Sequence, residues 1–167
     1  MKIRKAKIED AEAVANVLMN SYNIKSVEEG IAVFKNEINK GSNYIVAVDN
    51  KFNQKINEKL SEKIIGIISW IVKGLPKHEL IELDRIAVLP EYKGKGIAIK
   101  LFQFLKKDST NFYKSKGCKL RKVYLCVHAK NLRAQSFYEK IGFKYEAILK
   151  NHYYDGVDEM IFSMFLD

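Results

Sequence analysis

The chain has 167 residues, 47% apolar and 29% charged, which is typical of one soluble globular domain. It lacks the roughly 20-residue apolar run of a membrane-spanning helix and the apolar core of a signal peptide. Its two cysteines form neither a disulfide framework nor a metal-spaced cluster. The net charge of +9 favours anionic ligands. We therefore expect a cytoplasmic protein with no metal site.

Seven segments have the apolar alternation or the short apolar runs that are typical of strands. They lie at residues 1–6, 44–48, 64–72, 80–88, 123–127, 143–149 and 159–165. Four segments carry apolar residues at helical spacing. One begins at Glu9, one covers 27–38, one starts near Gly94 or Gly96, and one covers 131–141. The order βααβββαβαββ predicts an α/β protein with a mixed sheet.

No internal repeat or proline-rich linker divides the chain, so we predict a single domain over residues 1–167. Residues 49–63 interrupt the pattern as a variable insertion that is rich in Asn, Lys and Glu. We predict a charged, solvated loop there. A short surface helix is the alternative, because Phe52, Ile56 and Leu60 recur every fourth residue.

The most informative segment is the glycine turn at residues 93–98, between a predicted strand and a predicted helix. Glycines let a backbone approach a ligand closely, and the first amides of a helix attract anions. The turn lacks the final Gly-Lys-Ser/Thr of a Walker loop and the downstream acid of a dinucleotide fold. It therefore indicates phosphate binding of another type, with an ordinary tight turn as the alternative.

Residues 86–98 resemble the central motif of the GNAT-type N-acetyltransferases, Gln/Arg-x-x-Gly-x-Gly/Ala. Lys93, Gly96 and Ala98 fill its first, fourth and sixth places, and Lys93 departs from the pattern but keeps a cation. Residues 131–143 resemble the second hallmark segment of the family. The resemblance covers nearly all of the chain except 49–63. It implies a central, mostly antiparallel sheet of about seven strands flanked by helices, and acetyl-coenzyme A as acetyl donor.

The resemblance also implies which residues bind this donor. The backbone of Ile86, Ala87 and Val88 would pair with the pantetheine arm, and Asn131 would hydrogen-bond the same arm. Tyr138 would lie near the sulfur and protonate the leaving thiolate. The alternatives are a helix cap for Asn131 and a core position for Tyr138. The pyrophosphate would be held by the turn, at Lys93, Gly94, Lys95, Gly96, Ile97, Ala98 and Ile99.

Candidates for the general base lie on two strands. Glu82 and Asp84 are two residues apart, so their side chains share a sheet face, and other family members carry a catalytic Glu or His there. We favour Glu82; simple solvent exposure of both acids is the alternative. On a later strand, the N-terminal acetyltransferases that act on ribosomal proteins often have Glu and Arg where this chain has Cys126 and His128. His128 is a further candidate, with a structural role as its alternative.

The acceptor is suggested by Tyr153 and Tyr154, which resemble a Tyr-Tyr-x-Asp-Gly hairpin beside the acceptor in N-terminal acetyltransferases. Ordinary sheet packing is the alternative. The implied acceptor is a protein N-terminus, and a polyamine or another small amine stays open. A non-catalytic acetyl-coenzyme A sensor is a rival function. Nucleic-acid binding is a weaker rival, because the positive charge forms no dense basic block. We expect a monomer or a homodimer and no membrane association.

Overall fold

The structure is a computed structural model that describes the backbone of residues 1–56 and 59–166 and the side chains of 1–50 and 62–166. Within these residues it contains seven strands and four helices. The strands are β1 Lys2–Lys5, β2 Asn43–Ile56, β3 Lys59–Val72, β4 Leu80–Val88, β5 Lys122–His128, β6 Lys144–Tyr154 and β7 Val157–Phe165. The helices are α1 Ala11–Met19, α2 Val27–Asn39, α3 Ile97–Ser115 and α4 Leu132–Lys140.

The strands form one sheet in the order β1-β2-β3-β4-β5-β7-β6. β4 and β5 pair in parallel at Leu80–Glu82 and Lys122–Tyr124, whereas β1–β2, β2–β3, β5–β7 and β6–β7 are antiparallel. The predicted α/β class, the element order and the mixed, mostly antiparallel sheet are therefore confirmed. No helix within the described ranges is long and apolar enough to cross a membrane.

The chain divides into two compact units. The first consists of Met1–Ile71 and Arg85–Asp108. Its core forms because α1 and α2 each place apolar residues on one face, against the apolar residues of β2 and β3. Val14, Leu18, Phe34, Val46 and Ile67 are completely buried in this core. The two helices come into very close contact: a Cβ atom on Gly30 would lie 2.7 Å from the Cβ of Ala15.

The second unit consists of Val72–Asp84 and Ser109–Asp167. Its buried residues alternate along the strands, as at Val123, Leu125 and Val127 of β5, so the intervening side chains lie on the opposite face. Register pairs His128 with Glu159 and Cys126 with Ile161 across β5 and β7. Because opposite residues share a face, β5 and β7 together present the polar face described below.

The prediction of a charged loop at 49–63 is wrong, and so is its helical alternative. β2 continues to Ile56 and β3 begins at Lys59, with Gln54 opposite Ser61 and Ile56 opposite Lys59. Residues 57–58 lie outside the described residues. Two antiparallel strands satisfy each other's backbone N–H and C=O groups without apolar alternation. A polar extension of a hairpin therefore leaves no hydrophobic pattern in the sequence.

The strand predicted at 143–149 is shorter than the observed strand, again because its last residues carry no apolar pattern. β6 continues to Tyr154, and β7 begins at Val157 after a tight turn. Residues 151–156 are exposed, so apolar patterning carries no signal there. Asn151 has a φ of +48° and interrupts the regular pairing. Its side chain accepts a hydrogen bond from the Gly156 amide at 2.8 Å, which stabilises the turn.

Candidate functional site

The glycine turn lies in the first unit, between β4 and α3. Gly94 and Gly96 have φ values of +77° and +74°, the left-handed region in which a side chain is strained. A Cβ atom on either glycine would meet nothing within 4 Å. The glycines are therefore required by backbone conformation and not by close packing.

The start of α3 provides backbone donors that have no partner within the helix. The Lys100 amide donates to the Gly96 carbonyl at 3.2 Å, so the amides of Ile97, Ala98 and Ile99 precede the first hydrogen bond of the helix. Such amides, together with the positive end of the helix dipole, bind phosphate groups well. These amides are therefore suited to an anionic ligand, and the pyrophosphate site stays a prediction.

The two lysines of the turn differ. Lys95 folds back, because its ammonium group donates to the Glu91 carbonyl at 3.0 Å and lies 5.0 Å from the centre of the Tyr92 ring. Lys93 is exposed at the end of a turn of 3₁₀ helix, Pro90–Tyr92. Lys93 is therefore the better placed cation for an anionic ligand at this turn.

The last part of β4 carries the backbone groups expected to bind the pantetheine arm. Ala87 and Val88 are buried, and Ile86 is half-buried. Both backbone groups of Ile86 are hydrogen-bonded to one side chain. The Tyr22 hydroxyl accepts from the Ile86 amide at 3.0 Å and donates to the Ile86 carbonyl at 3.2 Å. Sequence reasoning missed Tyr22, which lies between α1 and α2, 64 residues from its partner.

Glu82 is the central residue of the second unit's polar face. It is 8% exposed, forms a 2.6 Å ion pair with Lys73, and accepts a hydrogen bond from the Tyr124 hydroxyl at 3.3 Å. A buried carboxylate normally requires such partners. The alternative of simple solvent exposure is therefore wrong for Glu82. Asp84, further along the same face, is half-buried.

Side chains around Glu82 have altered acidity. Burial, together with the Glu82 carboxylate, raises the pKa of Tyr124, and burial followed by the charges of Glu82 and Glu159 raises the pKa of Cys126 to about 11. The pKa of Tyr153 is raised to about 12 by burial of its hydroxyl, by Cys126, and by the Glu82, Glu159 and Asp84 carboxylates. Each group is held in its neutral form mainly by burial, with nearby negative charge as the second cause.

These shifts have two consequences. The Tyr153 hydroxyl belongs to the same cluster as Glu82, Asp84 and Cys126, although more than half of the Tyr153 side chain is exposed. Cys126 is unsuited to act as a nucleophile, because the reactive species is the thiolate.

His128 contacts a second buried acid. Its Nδ1 atom is in close contact with Oε1 of Glu159, a residue that is 2% exposed. Oε1 accepts no hydrogen bond of normal geometry from the described residues. The His128 ring lies 6.4 Å from the Tyr154 ring. His128 is thus oriented by a carboxylate on the neighbouring strand, and Glu159 is another residue that sequence reasoning missed.

Asn131 and Tyr138 lie at the beginning and near the end of α4. The Asn131 side chain caps the helix by accepting from the Ala134 amide at 3.1 Å, so its capping alternative is correct. Its NH2 group is the part suited to donate to a ligand. Tyr138 is 7% exposed, and its ring packs against Phe137 and Phe143. Tyr138 therefore occupies a core position, and its role as a proton donor stays a prediction.

The chain is similar in sequence to known acetyltransferases. A family model described as an acetyltransferase (GNAT) domain matches residues 40–145. An N-alpha-acetyltransferase of Saccharolobus solfataricus is 38% identical over 78 residues, which are 47% of this chain and 44% of that protein. The chain therefore matches less than half the length of this curated relative.

Solved structures extend the likeness over the whole chain. The Escherichia coli ribosomal-protein-S18-alanine N-acetyltransferase has a TM-score of 0.71 at 19% identity, covering 98% of this chain and 92% of that one. A variant of the spermidine N-acetyltransferase of Vibrio cholerae has a TM-score of 0.72 at 22% identity, covering 99% and 95%. At these identities the similarity shows a shared fold and does not identify an acceptor.

Proposed function

This chain belongs to the acetyltransferase (GNAT) family, and on that premise we propose that it transfers an acetyl group from acetyl-coenzyme A to a primary amine. The observation that carries the proposal is the turn at residues 93–99. Its two left-handed glycines face open space beside the amides at the start of α3 that have no partner within the helix. An anionic, phosphate-containing donor fits that arrangement.

The residues of the first unit that would hold the donor are those of the turn and of the end of β4. When bound, acetyl-coenzyme A supplies an activated acetyl group as a thioester. Ile86 has the backbone amide to polarise the thioester carbonyl, as strand amides do for developing negative charge.

Glu82 is our proposed general base. The acceptor attacks as a neutral amine, after its ammonium form has lost a proton to solvent. Its nitrogen then forms a bond to the acetyl carbon as the carbon–sulfur bond breaks, and the nitrogen loses one further proton. Glu82 takes this proton directly or through a water molecule, while Tyr138 gives a proton to the sulfur. Lys73 compensates the charge of Glu82 in its buried position.

For the acceptor we propose the amino terminus of a protein or peptide. The curated relative named N-alpha-acetyltransferase supports this assignment, and so do the exposed Tyr153 and Tyr154 at the β6–β7 turn. The carboxylates of Asp84 and Glu159 would attract an amine that approaches in its ammonium form. A polyamine also has that property and is the alternative acceptor. We place the reaction in the cytoplasm, in accord with the two free cysteines.

An acceptor panel tests the proposal. The protein is incubated with acetyl-coenzyme A and peptides with free N-termini, the same peptides with blocked N-termini, or spermidine. Free thiol and acetylated product are then measured. We expect thiol release only with free N-termini, and product with spermidine alone would select the alternative acceptor. Binding of acetyl-coenzyme A without thiol release above the blank would show a sensor instead of an enzyme.

A further inference from the structure

The Tyr22 side chain is hydrogen-bonded to backbone groups of β4 that the proposed function assigns to the donor. Its hydroxyl accepts a hydrogen bond from the Ile86 amide and donates one to the Ile86 carbonyl. One hydroxyl can do this because it is both a donor and an acceptor. The amide and carbonyl of one strand residue also point to the same edge.

The backbone groups of Ile86 point to the edge of β4 that faces away from β3. The Leu89 amide donates to the Ile65 carbonyl at 3.0 Å, so Leu89 faces β3. The Ala87 carbonyl oxygen lies 3.1 Å from the Cβ position of Gly66, so Ala87 also faces β3. Backbone groups of adjacent strand residues point to opposite edges, so those of Ile86, the immediate neighbour of Ala87, point away from β3. Tyr22 therefore takes the place of a neighbouring strand at this residue.

Tyr22 is held there by a network within the first unit. The Arg85 guanidinium lies 4.8 Å from the centre of the Tyr22 ring, a cation–π contact. Arg85 also binds the Glu37 carboxylate of α2 through two nitrogens, and Glu37 contacts the Tyr44 hydroxyl. The ring is thus positioned from β4 and α2, independently of its hydroxyl.

We infer that the Tyr22 hydroxyl is an internal occupant of the donor site, which acetyl-coenzyme A must displace from Ile86 in order to bind. The inference rests on the proposed function. Each amide of a pantetheine arm carries one N–H and one C=O, and a thioester carbonyl accepts a hydrogen bond. The donor therefore requires the backbone groups that Tyr22 occupies. Displacement costs two hydrogen bonds, which weakens donor binding.

The test is the Tyr22→Phe variant, which removes the hydroxyl and keeps the ring over Arg85. Its matched control is Tyr44→Phe, which removes a hydroxyl from the same network but leaves Ile86 paired. Acetyl-coenzyme A binding is measured by calorimetry on all three proteins. We expect Tyr22→Phe to bind about three- to tenfold more tightly than the unmodified protein, and Tyr44→Phe to bind within about twofold of it.

Hydrogen exchange at the Ile86 amide gives a second readout that needs no ligand. Without acetyl-coenzyme A it should be faster in Tyr22→Phe than in the other two proteins. Unchanged or weaker donor binding by folded Tyr22→Phe, or unchanged exchange, would overturn the inference. If none of the three proteins binds acetyl-coenzyme A, the proposed function itself fails. Thermal melting of each variant reports whether it is folded.

Discussion

The donor and acceptor parts of the proposed site are constructed differently. The proposed donor part is formed by consecutive residues, 85–99, and would act mainly through backbone amides and carbonyls. The acceptor part is formed by side chains from separate segments, among them Lys73, Glu82, Tyr124 and Glu159. A backbone site requires only that glycine occupy the left-handed positions, whereas a side-chain site requires each charged partner. On this proposal, donor recognition would be a local property of the chain, and acceptor chemistry would depend on tertiary pairing.

The largest effect that we expect comes from Tyr138→Phe. If Tyr138 protonates the leaving thiolate, turnover should fall on the order of 10²–10³-fold with donor affinity little changed. Steady-state kinetics and calorimetry measure the two quantities.

Tyr113→Phe is the matched control for this change. Tyr113 is a buried tyrosine of the same unit, and its hydroxyl donates to the Leu80 carbonyl at 2.8 Å. The Tyr113→Phe variant should lose about 1 kcal/mol of stability and keep the turnover of the unmodified protein. A wild-type rate for Tyr138→Phe would remove Tyr138 from the mechanism and leave only its packing against Phe143.

Glu82→Gln should lower turnover by about 10²-fold, because the amide keeps the shape of the carboxylate but accepts no proton from the amine. The rate is measured with the best acceptor of the panel. Glu146→Gln is the control, since Glu146 also loses an ion pair, the one with Lys122, and has no proposed role. A wild-type rate for Glu82→Gln, or an equal loss of rate in both variants, would contradict Glu82 as the general base.

Gly96→Ala tests whether the donor part depends on backbone conformation. Alanine in the left-handed region lowers stability by about 1–2 kcal/mol. If the backbone shifts to relieve that strain, the amides at the start of α3 move with it, and donor affinity should fall about tenfold. Gly117→Ala is the control, because Gly117 has a φ of +70° with nothing within 4 Å. Both variants should lose similar stability in thermal melts. If Gly117→Ala weakened donor binding equally, the effect would be one of stability alone.

The smallest expected effect is on the alkylation rate of Cys126, which lies in the acceptor part. With a pKa of about 11, roughly one thiol in a thousand is ionised at pH 8. In a Cys118→Ser background, alkylation by iodoacetamide should rise about tenfold per pH unit until it approaches that pKa. Glu82→Gln removes a negative charge, which favours the thiolate, and should speed alkylation at pH 8. A rate that levels off below pH 9 would contradict the burial and charge assigned to this face.

The sequence predicted the fold because its elements have internal apolar patterns, as in α1, β3 and β5. Its failures lie where no such pattern exists. The extension of β2 and β3 into 49–63 and the last residues of β6 are held by backbone pairing, which polar side chains do not reveal. Among the proposed site residues, the sequence placed Glu82 and Asp84 on one face by their spacing alone. It did not identify Lys73 or Tyr124, because those contacts join separate segments.

By itself, the sequence determined the family and the glycine turn, because left-handed glycines between a strand and a helix are a contiguous requirement of backbone geometry. Only the tertiary structure decided what surrounds the turn and the acids. It brought the Tyr22 hydroxyl to Ile86, the Lys73 ammonium to Glu82, and the Glu159 carboxylate to His128. Each pairing joins residues that are far apart in the sequence. The pairings are needed because a polar group that is removed from water requires a partner.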